Sequence, residues 1–204
     1  MHRDLRIPLH VFLVFVTACG GEPDATAPAA AAGASPAAAP PGAPAAPAVP
    51  ATSADFDALT GCALLTPAEV GVALDATDVQ PEEQHARGHL KGCRYTWRDG
   101  DAVVSLELVV ERRRDGHPSF DRALATRVEG LPVVGRADTV QTFTAVPGLG
   151  QQALYSGNVA DLKSLFVRVN PMLQLSLQHA RTGADTGDLS AALRTLAQQV
   201  MTRL

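Results

Sequence analysis

Residues 93–110 read CRYTWRDGDAVVSLELVV, and they decide the fold class because they describe an antiparallel hairpin. Apolar side chains occupy every second position on both sides of an Asp99-Gly100 turn signal, which is the period expected of half-buried strands. Before the turn these positions are Cys93, Tyr95 and Trp97, and after it they are Val104, Leu106, Leu108 and Val110. Strands joined by so short a turn pair antiparallel.

A helix is predicted upstream of this hairpin, from Thr66 to about Leu74. Thr66 is a suitable N-cap, Pro67 takes the first helical position, and Glu69 completes a capping box. Leu65 and Val70 flank the cap as a hydrophobic staple. The polar residues 76–92 that follow are predicted to be irregular.

Further strands and two helices are predicted downstream. The strands cover residues 140–146, 153–156, 165–169 and 173–177, with a Pro-Gly-Leu-Gly turn at 147–150. One helix begins at Pro118, ends at Gly130 and buries Phe120, Ala123, Leu124 and Val128. The last helix is capped by Asp188 and has an apolar stripe of Leu189, Leu193, Leu196, Val200 and Leu204. These elements predict an α+β domain, a two-layer antiparallel sheet of about five to six strands covered by three helices, with one disulfide.

The N-terminal region indicates export and lipidation. Residues 1–18 resemble a secretory signal, and Val16-Thr17-Ala18-Cys19 fits a lipobox. A lipid on Cys19 would then anchor the protein in a membrane, whereas ordinary secretory cleavage without lipid is the alternative. The residue after Cys19 is Gly20, and not the Asp that commonly retains lipoproteins at an inner membrane. This favours the outer membrane in a two-membrane cell.

Residues 19–54 are predicted to form a disordered tether between this anchor and a single domain at residues 55–204. Eight of the fifteen prolines lie in residues 20–54 among Ala and Gly, and such a segment cannot bury enough apolar surface to fold.

The net charge of −4 at pH 7 argues against nucleic acid as a partner.

Cys62 and Cys93 remain once Cys19 is assigned to the lipid. In an exported domain such a pair indicates a disulfide, because the compartment is oxidising. A metal-binding or redox pair is the alternative, and it would more typically show a C-x-x-C spacing, which the sequence lacks.

Three stretches carry a family resemblance: Cys62 ahead of residues 65–70, Gly92-Cys93-Arg94-Tyr95-Thr96-Trp97, and residues 146–153 (VPGLGQQA). With the C-terminal helix, they resemble small extracytoplasmic lipoprotein families of high-GC bacteria whose activity is not known. The resemblance covers most of residues 60–204. It implies a paired Cys62–Cys93 and an extracytoplasmic α+β domain, and it implies no activity.

Two patterns suggest a cofactor or a metal, but each has a simpler structural interpretation. Residues 148–153 match the dinucleotide fingerprint G-x-G-x-x-A, yet a short strand is predicted where the fingerprint needs a helix. His85 and His89, with Glu82 or Glu83, could bind a metal from one helical face, but nearby glycines favour a loop. We therefore expect no cofactor and no metal.

Three further groups of residues suggest catalysis, binding or packing. His117, Ser119 and Asp121 are close in sequence but lack the nucleophile elbow G-x-S-x-G. The basic run Arg112-Arg113-Arg114 is more typical of a solvated strand end than of a phosphate site. Tyr95 and Trp97 are expected to pack against the disulfide.

The leading functional hypothesis is a non-enzymatic module, lipid-anchored on the outer face of a cell membrane, that binds an envelope protein or another envelope component. The second is a small-molecule-binding or sensory lipoprotein with a pocket between sheet and helices. The third is a cryptic hydrolase. A pocket with convergent polar groups would favour the second or third, and a flat exposed apolar patch the first.

Overall fold

The computed structural model describes residues 53–84 and 88–204. The predictions for the signal sequence, for Cys19, for the tether up to residue 52 and for His85 lie outside these residues. Within the described ranges, no helix is long and apolar enough to cross a membrane.

Four helices and nine strands form within the described ranges. The helices are α1 (Ser53–Ala58), α2 (Pro67–Leu74), α3 (Pro118–Ala125) and α4 (Ser190–Met201), and Gly61–Ala63 is a 3-10 turn. The strands are β1 (Gln80–Gln84), β2 (Leu90–Asp99), β3 (Ala102–Arg112), β4 (Leu131–Pro132), β5 (Val140–Gln141), β6 (Thr144–Ala145), β7 (Gln152–Val159), β8 (Leu162–Asn170) and β9 (Leu173–Arg181). The α+β class is confirmed.

The predicted numbers of strands and helices were wrong. Seven strands form one antiparallel sheet in the order β1-β2-β3-β9-β8-β7-β6, and β4 and β5 form a separate two-stranded sheet. The predicted strand at 140–146 is split into β5 and β6, and α1 was not predicted. Residues 80–84, expected to be irregular, form the edge strand β1, whose side chains are mostly exposed.

The predicted start of α2 is confirmed in detail. The Glu69 amide donates to Thr66 Oγ1 at 3.3 Å, and the Thr66 amide donates to Glu69 Oε2 at 2.8 Å, so the capping box is complete. Leu65 and Val70 are fully buried. The Glu69 carboxylate also pairs with Arg203, which follows α4 in the chain and joins its C-terminal end to the start of α2.

The hairpin that decided the fold class is also confirmed. Asp99 pairs with Ala102 across a two-residue loop, and Gly100 takes a φ of 60°, which favours glycine. All seven alternating apolar side chains are buried, and the Tyr95 hydroxyl donates to the Leu65 carbonyl at 2.7 Å. The side chains of β2 therefore hold the segment leading into α2 against the sheet.

The main core lies between α2, α4 and one face of the sheet. The α4 stripe is confirmed, since Leu193, Leu196 and Val200 are fully buried there. The predicted cap is displaced by one position, because α4 begins at Ser190, and Asp188 Oδ1 accepts from the Ser190 amide at 2.9 Å.

The opposite face of the sheet is covered in part by α3, so the prediction of two layers was incomplete. A second cluster forms there from Phe120, Ala123, Phe143 and Leu154, with Phe166 packed against it. Val128 was predicted to be buried but is 75% exposed, because α3 ends at Ala125. On the rest of this face, over β1, β2 and β3, polar side chains stay partly exposed.

The Cys62–Cys93 disulfide is confirmed, with Cα atoms 4.8 Å apart. It joins the 3-10 turn to β2. The Glu83 carboxylate on the neighbouring strand accepts from the backbone amides of Gly61 at 2.6 Å and Cys62 at 2.9 Å. The same turn is therefore held by a covalent bond and by two charge-assisted hydrogen bonds.

Candidate functional site

A cavity of about 210 Å³ lies where α3 meets the polar face of the sheet, and we call it the α3 pocket. Its polar lining is Glu107, Glu111, Ser119, Gln174, Ser176 and Gln178, and its apolar lining is Val109 and Phe166. Six polar side chains converge here from two strands and one helix.

Strand register explains why these side chains meet. In the pairing of β3 with β9, Glu107 lies opposite Gln178, Val109 opposite Ser176, and Glu111 opposite Gln174. Alternate residues of a strand point to the same face, so three consecutive cross-strand pairs line one surface. Phe166 on β8 lies opposite Ser176 and extends the middle row.

Gln174 is the most buried polar residue of the pocket, with 5% of its surface exposed. Its Nε2 lies 3.5 Å from Ser119 Oγ, while its Oε1 has no hydrogen-bond partner among the described residues. Buried polar atoms are nearly always hydrogen-bonded to protein, water or ligand. The unpartnered amide oxygen therefore marks the pocket as a place where a bound molecule would gain a contact.

The two carboxylates of the pocket each lie near a guanidinium group. Glu107 Oε2 is 3.9 Å from Arg94 Nη2, and Glu111 Oε1 is 3.4 Å from Arg113 Nη1. The negative charge of the pocket is therefore largely balanced by arginines at its margin.

His117 lies beside the pocket and is 1% exposed. Its Nδ1 is 3.7 Å from Glu111 Oε2, and within the described part of the chain neither ring nitrogen makes a hydrogen bond of good geometry. Burial lowers the pKa of His117, and this effect exceeds the opposing attraction of Glu111 and of the Met172 backbone. Burial therefore favours the neutral form of the ring.

The structure does not assemble His117, Ser119 and Asp121 into a triad. Ser119 contacts Gln174, and Asp121 pairs with Arg168, whose guanidinium lies over the Phe120 ring. Two of the three residues do reach the candidate site, Ser119 by lining it and His117 through Glu111.

Arg112 and the two glycines of the fingerprint have structural roles. Arg112 Nη2 binds Asp57 Oδ1 at 2.7 Å and lies over the Phe56 ring, so it fastens α1 to β3. Gly148 and Gly150 have positive φ values, and the strand β7 follows them, where a dinucleotide site requires a helix. A Cβ atom on Gly150 would lie 2.7 Å from the Arg168 carbonyl, so close approach to β8 explains this glycine.

Of the two histidines considered as metal ligands, His89 lies within the described residues and His85 does not. Glu83, a possible ligand, is bound to the amides of Gly61 and Cys62. Across residues 53–84 and 88–204, no group of three or more His, Cys, Asp or Glu side chains is arranged to hold a metal.

A larger cavity, of about 800 Å³, lies at the start of α4 beside Tyr155 and Lys163. Several of the polar groups that line it already have hydrogen-bond partners within the protein. Lys163 Nζ donates to the carbonyls of Gly157 and Val159, and the Tyr155 hydroxyl accepts from the Leu189 amide. We therefore take the smaller α3 pocket, which contains an unpartnered buried atom, as the candidate site.

No protein-family model matches the chain, and no curated protein matches it at a significant level.

Proposed function

We propose that the protein is a lipid-anchored binding module of the cell envelope, non-enzymatic, with the α3 pocket as its binding site. The observation that carries the proposed binding site is the unpartnered Gln174 oxygen in a pocket lined by six polar side chains. This chemistry suits a polar component of the envelope, either as a small molecule or as the end of a larger one.

The proposed location rests on three features along the chain. The signal pattern at residues 1–18 ends in the lipobox at Cys19, and the Ala/Pro-rich segment that follows is long enough to hold a domain away from a lipid surface. The Cys62–Cys93 disulfide suits an oxidising compartment outside the cytoplasm. In a two-membrane cell we favour the outer membrane.

Native mass spectrometry of the full chain, extracted from its own membranes in mild detergent, tests this proposal. We expect a chain that begins at Cys19, carries lipid and has lost two hydrogens at the disulfide. A Cys19→Ser variant should lack the lipid and leave the membrane fraction. A wild-type chain without lipid, beginning elsewhere, would contradict the proposed anchor.

The same spectra test for bound molecules. A polar small molecule or an envelope component that co-purifies with wild type and is lost from a Gln174→Leu variant would support the α3 pocket as the site. Retention by this variant, if it is folded, would place binding elsewhere.

A hydrolase is the competing function that Ser119 and His117 suggest. Turnover of an ester or amide substrate by wild type, abolished in Ser119→Ala, would overturn the proposal of a non-enzymatic module. We expect no such turnover, because Ser119 contacts the Gln174 amide and the described residues provide it with no hydrogen-bonded base.

A further inference from the structure

We propose that the α3 pocket binds one neutral sugar residue, either as a free monosaccharide or as the end of an envelope glycan. This inference rests on the proposed function in taking the α3 pocket as the binding site. It adds the chemical class of the ligand, which follows from the size, hydrogen-bonding groups, charge and apolar surface of the pocket.

The size of the pocket limits the ligand to about one ring. The cavity measures about 210 Å³. Pockets for drug-sized ligands measure roughly 300–1,000 Å³. A larger partner could therefore insert only a terminal group.

The hydrogen-bonding groups of the pocket suit hydroxyls. The Gln174 amide presents one polar atom to Ser119 and leaves the other without a described partner. The amide oxygen and nitrogen can exchange places by a flip of the group, and a hydroxyl satisfies either one because it both donates and accepts. An ammonium group can only donate and a carboxylate can only accept.

The charge of the pocket favours a neutral ligand. Glu107 and Glu111 are acceptors for two or more hydroxyl protons, and hydrogen bonds to carboxylates are stronger than those between neutral groups. Arg94 and Arg113 already lie within 4 Å of these carboxylates. A cationic ligand would compete with the two arginines, and an anionic ligand would meet two carboxylates.

The apolar part of the lining suits the C–H face of a sugar ring. Phe166 and Val109 lie in the same cross-strand row, on either side of Ser176, so an apolar surface and a hydroxyl occur side by side. Phe166 is packed against the Phe143 ring at 5.8 Å between centroids, which fixes its position. A flat ring with hydroxyls at its edge can contact both kinds of surface at once.

Saturation-transfer NMR on the full chain, in a detergent without a sugar headgroup, tests the inference. The neutral probes are D-glucose and N-acetyl-D-glucosamine, and the charged probes are putrescine and D-glucuronate. We expect saturation transfer to at least one neutral sugar and none to the charged probes. Tighter binding of the N-acetylglucosamine trimer than of the monomer would indicate a glycan end, and equal or weaker binding a free sugar.

A matched pair of variants locates the binding. Ser176→Val removes a hydroxyl from the pocket and places two methyl groups there, while valine still suits a strand. Ser105→Val makes the same change on β3, on the same face of the sheet but outside the pocket. We expect about a tenfold loss of sugar affinity in the first, the cost of an unpaired polar contact, and no change in the second.

Three results would overturn the inference. The first is the absence of saturation transfer to either neutral sugar. The second is stronger binding of putrescine or glucuronate than of the sugars. The third is an equal effect of Ser176→Val and Ser105→Val on sugar affinity. Binding of a charged probe that Ser176→Val abolishes would reject the sugar but leave the α3 pocket as the binding site. Loss of the Cys19 lipid would instead contradict the proposed anchor.

Discussion

Reduction of the Cys62–Cys93 disulfide should destabilise the domain by an amount that the chain separation predicts. The two cysteines are 31 residues apart. The loop-entropy model assigns to such a closure about 3.7 kcal/mol at 25 °C. The free energy of unfolding of such domains is roughly 5–15 kcal/mol, so a large part of the stability would be lost.

Urea unfolding with and without a phosphine reductant measures this difference. The single tryptophan, Trp97, is 7% exposed beside the His179 ring and reports on the core near β2. With a denaturant slope of roughly 1–3 kcal/mol per molar, the midpoint should fall by about 1–4 M. Reduction removes no heavy atom from the core, so the cavity that a Cys→Ala substitution would leave does not add to the loss.

A Cys62→Ala/Cys93→Ala variant is the control, and the reductant should not alter its midpoint. A loss below about 1 kcal/mol on reduction of wild type would refute the reasoning. It would mean that the denatured chain is already constrained between these residues, or that the Glu83 hydrogen bonds hold the reduced turn equally well.

Three further substitutions test the cap of α2, the close packing at Gly61 and the exposure of Val128. Glu69→Gln should lower the unfolding free energy by about 1–2 kcal/mol at pH 7, because it removes the charge that caps α2 and pairs with Arg203. The Arg203 guanidinium lowers the pKa of Glu69 from 4.5 to about 2. Its contribution should therefore be present above pH 4.5 and be lost as the pH falls toward 2, so thermal melts of wild type and variant should converge there. Gly61→Ala should cost about 3 kcal/mol or more in urea unfolding, because the new Cβ would lie 2.1 Å from the Gly92 carbonyl oxygen. Val128→Asp should change the free energy of unfolding by less than about 0.5 kcal/mol, and a larger loss would contradict the exposure found for this side chain.

Local signals in the sequence predicted the elements that depend on local chemistry. The capping box at Thr66 and Glu69 and the alternation around Asp99-Gly100 are each complete within a few residues. By contrast, β1 reads Gln-Pro-Glu-Glu-Gln and has no apolar alternation, since it pairs at the sheet edge with most side chains in solvent. Its formation depends on backbone pairing with β2.

The candidate site could be predicted only in part, because it depends on the pairing of β3 with β9. The alternation of Gln174 with Leu173 and Leu175 is typical of a half-buried strand and indicates a solvated Gln174, yet α3 covers it and it is 5% exposed. Phe166 carried an available signal, since an aromatic residue between Leu165 and Val167 indicates a strand buried on both faces. Nothing local connects these positions with Glu111.

The hydrogen bond from Arg203 to the Leu64 carbonyl joins residues 139 positions apart, and it has a consequence for biogenesis. Ribosomes add about 5–20 residues per second, so roughly 7–28 s separate the synthesis of these two partners. During that interval the first helix of the core lacks α4, and β3 lacks its partner β9. The two cysteines are only 31 positions apart in the chain, so their oxidation does not require the sheet to be complete. In the proposed export, a chain that enters an oxidising compartment from its N-terminal end can therefore form its covalent link before β9 and α4 arrive, and until then β3 is an open edge available to chaperones.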